Sequence, residues 1–124
     1  RKPRRKRMAN PKRGEMTIAL GEKKYKARVT LDVVKRIEDE CGLGIVKVTQ
    51  ALSQGDLTTT HMINILTPAI RAGGNDVNAK EVGDALWGAG LVDGMKSIGE
   101  ILSTVLSAGE DEGNEEKAED NRLV

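Results

Sequence analysis

Phenylalanine is absent, and Tyr25 and Trp87 are the only aromatic side chains in 124 residues. Without aromatic platforms the chain cannot stack successive bases, which removes the usual route to single-stranded nucleic acid. Its single cysteine, Cys41, permits no internal disulfide, and a single histidine, His61, leaves too few ligands for a zinc site of ordinary composition. No run of about 18 apolar residues and no export-type apolar stretch occurs, so a membrane span is not expected and a reducing, cytoplasmic setting is.

What is present suffices for one domain. Hydrophobic residues make up 38% and glycine contributes 14 positions, a globular composition that excludes disorder throughout. A chain of this length buries about 65% of its unfolded surface. The formal charge of +1 conceals unlike parts. Residues 1–13 hold eight bases and no acid, residues 14–109 ten bases and twelve acids, and residues 110–124 two bases and seven acids. The expected organisation is therefore a basic, disordered arm over 1–13, a folded domain over 14–109 and a solvated acidic tail over 110–124. Arg1 to Arg7 precede the first methionine, Met8, and are candidates for lying outside the natural reading frame; from Met8 the net charge is −5.

Met16, Ile18 and Leu20 alternate with other residues, as do Tyr25, Ala27, Val29 and Leu31, which predicts two strands joined by Gly21-Glu22 in a type II′ hairpin. A lone hairpin is only marginally stable, so its apolar face should lie on helices. Thr30 caps a first helix carrying Leu31, Val34, Ile37 and Cys41, stopped by Gly42. A weaker segment, 45–54, sets Ile45, Val48 and Leu52 on one face. A third, 60–72, carries Ile63, Leu66 and Ile70 and should kink at Pro68. Asn78 and Glu81 have capping-box spacing ahead of Val82, Ala85, Leu86 and Ala89. Asp93 can cap a last helix lined by Met95, Ile98, Leu102, Val105 and Leu106 and ending at Gly109. The fold class is α+β, mostly α: an N-terminal β-hairpin followed by four or five short helices.

No constellation for catalysis emerges. Cys41 or a serine paired with His61 lacks the sequence frame of a nucleophile, and Cys41 sits on an apolar stripe where an inert buried thiol is the commoner outcome. His61, after three threonines at a helix start, reads as solvated. Gly42-Leu43-Gly44 and Gly88-Ala89-Gly90 lack dinucleotide or phosphate-loop spacing and read as helix stops. The oxygen ligands around Asn75-Asp76-Val77-Asn78 are too few for a calcium loop. Neither a cofactor nor a metal is expected, and the chain is not expected to be an enzyme. Trp87 lies about 100° around its helix from Leu86, at the edge of the apolar stripe. It either completes an aliphatic core, the slightly favoured reading, or anchors a partner together with Leu86, Leu91 and Met95.

The order Met8-Ala9-Asn10-Pro11-Lys12-Arg13-Gly14-Glu15, Ile37-Glu38-Asp39-Glu40-Cys41-Gly42-Leu43-Gly44, Ala72-Gly73-Gly74, Glu81-Val82, Ala85-Leu86 and Gly90-Leu91 resembles the small tail proteins of gene transfer agents and long-tailed phages. That family is variously labelled tail tube protein and tail assembly chaperone. The resemblance covers about residues 8–108; Cys41, Pro68 and the basic arm depart from its pattern. It implies a non-enzymatic chaperone in the bacterial host cytoplasm. Such a chaperone coats the tape measure protein, recruits tail tube protein, is displaced as the tube grows and is absent from the mature particle. In many such systems a second, longer form arises by ribosomal frameshifting. The alternatives are a structural tail tube or tail completion subunit, which should supply longer strands, and a small nucleic-acid-binding protein acting through the arm.

Overall fold

The computed structural model describes residues 14–123, with side chains for 14–108; the basic-arm reading of 1–13 and the side chains of the acidic tail lie outside the described residues. Strand β1 (Glu15–Leu20) pairs antiparallel with β2 (Lys23–Arg28), Leu20 opposite Lys23 and Ile18 opposite Tyr25. Gly21 takes φ 67° while no residue type but glycine has positive φ among the described residues, so Glu22 stays in the ordinary region. That combination fits a II′ turn and excludes I′, which needs both residues left-handed. The second strand stops three residues short of Leu31, which is exposed at the start of the next helix.

Five helices follow: α1 (Leu31–Cys41), α2 (Ile45–Gln54), α3 (Thr59–Ala72), α4 (Ala79–Ala89) and α5 (Leu91–Leu123). The protein is thus α+β and mostly helical, with one two-stranded sheet among the described residues. The sequence expectation ended the last helix at Gly109; α5 runs on to Leu123.

Local chemistry explains most boundaries. Thr30 Oγ1 accepts from the Val33 N–H, and Gly42 closes α1 at φ 72°. Gly44 has no side chain with which to cap α2, and Glu38 supplies the missing acceptor by taking the Ile45 N–H at 2.9 Å. At α4 the box is reciprocal: Asn78 Oδ1 accepts from the Glu81 N–H at 2.8 Å and Glu81 Oε1 from the Asn78 N–H at 2.9 Å. Replacing Asn78 by alanine should cost about 1 kcal/mol in urea unfolding, and replacing it by aspartate much less. Asp93 does not cap α5, which begins two residues earlier. Instead its Oδ2 accepts the Gly21 N–H at 3.1 Å and ties the hairpin turn to the first turn of α5.

Helix α3 is the hub, touching α1, β2, α4 and α5. It buries Met62, Ile65, Leu66, Ala69 and Ile70, and runs through Pro68 as one element. The hairpin contributes Ile18, Leu20 and Ala27, α4 contributes Val82 and Leu86, and α5 contributes Ile98, Ile101 and Leu102. The expected core face of α5 needs correcting, because Met95 and Leu106 are exposed. The face that packs carries Gly94, Ser97, Ile98, Ile101 and Leu102, and two of these lack an apolar side chain to announce them.

Candidate functional site

Cys41 and His61 are brought close, but not as a catalytic pair. The Cys41 Sγ donates to the His61 carbonyl at 3.9 Å, not to its ring. His61 Nδ1 accepts the Thr58 N–H at 3.3 Å while Thr58 Oγ1 accepts the His61 N–H at 3.0 Å, so the imidazole serves as half of a capping box. That role, not free solvation, is what the run of threonines before His61 provides. Burial pushes the Cys41 thiol up, and the nearby Glu40 charge adds to the shift. The thiolate is the reactive form, so alkylation at pH 8 should be slower in the folded protein than in denaturant, read by mass spectrometry. The raised value also fixes a sign. Its contribution to stability is complete below the ordinary thiol value and is lost as pH rises through the raised, folded one.

The loop after α3 is structural. Asn75 Nδ2 donates to the Lys26 carbonyl at 2.7 Å and to the Ile70 carbonyl at 3.0 Å. Ser97, buried on α5, donates to the Ala19 carbonyl at 2.8 Å. With Asp93 on Gly21, these side chains occupy backbone groups at the turn and at both outer edges of the hairpin, where another chain would otherwise pair. A serine in a helical stripe gives no sequence signal for such a contact, because its partner is 78 residues away.

The α4–α5 corner is the most distinctive surface. Trp87 is 75% exposed, which overturns the favoured core reading. Leu86, placed with it on the sequence, is 0% exposed and belongs to the core, so it cannot take part in a surface anchor. Leu91 and Met95, one helical turn apart on α5, are partly exposed, and Val92, which the sequence reading missed, is 66% exposed. The chain thus displays Trp87 in the last turn of α4 and Leu91, Val92 and Met95 in the first two turns of α5, joined by Gly90 at φ 98°. Beside this corner a groove of about 430 Å³ runs between the hairpin turn and α4, floored by Leu20, Ala85, Gly88 and Ala89 and rimmed by Glu22, Lys23 and Asp84. Tryptophan and methionine on an exposed helical corner are side chains suited to receiving a partner's apolar face.

Among the described residues no helix is long and apolar enough to cross a membrane, and no cluster of three or more His, Cys, Asp or Glu is placed to hold a metal ion. A family model described as Phage tail tube protein, GTA-gp10 matches residues 13–108. No curated protein and no solved structure matches the chain.

Proposed function

The chain belongs to the phage tail tube family of the GTA-gp10 type, a family of tail proteins rather than of enzymes, and from that premise we propose that it acts as a tail assembly chaperone. In this reading it works in the bacterial host cytoplasm, binds the tape measure protein through the Trp87, Leu91, Val92 and Met95 corner, promotes addition of tail tube protein, and leaves before the particle matures. The observation that carries the reading is that exposed apolar corner on a small helical domain. A long helical tape measure chain presents apolar stripes, and a helix-in-groove contact at the corner would cover them. The side chains held on the Ala19 and Lys26 carbonyls, one on each strand of the hairpin, add support, since they occupy groups that a neighbouring strand would use in a continued sheet.

A second reading, a tail tube subunit retained in the particle, is favoured by the description of the matching family itself. Two experiments separate them. Co-expression with the tape measure protein should raise its soluble fraction and yield a co-purifying complex; if neither happens, the chaperone reading fails. Quantitative mass spectrometry of purified particles should find the chain scarce, whereas a copy number matching the tube rings would establish the structural role.

A further inference from the structure

A second surface has no part in the reading above. A cleft of about 340 Å³ lies between the first turns of α1 and the last turns of α3, with Arg36 on one wall, Arg71 on the other and Val33, Pro68 and Ala72 between them. Asp32 also lines it, leaving the cations in excess by one. Neither arginine is ion-paired among the described residues. The chain itself contains the complementary charge. Residues 110–124 hold seven acids, with Asp111, Glu115 and Glu119, and again Glu112, Glu116 and Asp120, recurring every four residues in the sequence. This segment continues α5, whose last buried residue among the described side chains is Leu102, for about 30 Å to Leu123. An unbroken helix does not double back, and the main packing of α5 is on β1, α4, α3 and α2. The acids therefore reach an α1–α3 cleft most directly in another molecule.

We infer that the Arg36/Arg71 cleft receives the acidic C-terminal segment of a second copy of this chain, giving salt-sensitive head-to-tail association. The contact is heterologous, so it adds copies in series.

Sedimentation velocity of the full chain tests this. At about 0.05 M salt the protein should associate with rising concentration, and at about 0.5 M salt it should not. The double variant R36E/R71E should weaken association about tenfold or more, as should the tail variant E112K/E116K/D120K, and combining all five changes should restore it. A chain monomeric at low salt, association untouched by R36E/R71E, or failure of the combined variant to recover overturns the inference. Loss of duplex DNA binding in R36E/R71E with no effect of the tail variant on association would make the cleft a phosphate site instead and overturns it too.

Discussion

Replacing Gly73 by alanine should lower stability by about 3 kcal/mol, although the change adds a single methyl group at the end of a helix. Gly73 has φ −78° and ψ −1°, a conformation open to any residue, so backbone freedom is not the reason for glycine here. The reason is proximity. A Cβ at this position would overlap the Lys26 carbonyl and lie 2.8 Å from the Ala27 Cα, both backbone atoms of β2 that cannot rotate away. The same carbonyl is held by Asn75, so the strand is fixed against the end of α3 where the methyl would have to go. Relief requires moving the hairpin off the hub helix and disturbing the burial of Ile18 and Ala27. For a domain of this size the loss should appear as a fall in melting temperature on the order of 10–20 °C by circular dichroism. Gly88 is the internal control. Nothing lies within 4 Å of its would-be Cβ and it is helical, so G88A should leave stability unchanged or raise it by up to about 1 kcal/mol. Equal, small effects at the two positions would mean that α3 does not press on β2.

Gly73 also shows where the sequence is legible and where it is not. Ala72-Gly73-Gly74 is correctly readable as a helix stop because helix ends are governed by neighbours a few residues away. So are the hairpin register, the Thr30 and Asn78 caps and the glycine at φ 72° after Cys41. Requirements set by residues distant along the chain leave no local trace. Asp93 has the composition of a cap and the position of a first-turn acid, yet its partner is the Gly21 N–H, 72 residues away. Gly94 and Ser97 sit on the packed face of α5, but counting apolar side chains shifts that face toward Met95 and Leu106. The candidate surface was half legible for the same reason. Leu91 and Met95 follow from helical spacing, whereas Trp87 lies at the edge of its stripe, where about 100° of rotation decides between core and solvent. Only the packing of α4 on its neighbours resolves that choice.

Leu86 and Trp87 are adjacent in sequence and should behave as opposites. Leu86 is fully buried, and its Cδ1 fills the space that a Cβ on Gly94 would need, so the leucine and the glycine form one interlocked contact between α4 and α5. Leu86→Ala empties that contact and should cost about 3–4 kcal/mol in urea unfolding, within the range for buried leucines. Trp87→Ala removes a larger side chain from a position that is mostly solvent already, so stability should stay within about 0.5 kcal/mol of the parent. Binding should follow the reverse order. If the corner anchors the tape measure protein, W87A should weaken the complex by about 2 kcal/mol, roughly thirtyfold in Kd, measured by titration calorimetry on the purified partner. L86A, studied below its unfolding transition, should bind far closer to wild type, because its missing atoms face the core. Wild-type affinity in W87A would remove the corner from the binding surface while leaving the fold argument intact. A large stability loss in W87A would instead mean that the indole shields the core in solution, and the first alternative from the sequence would be restored.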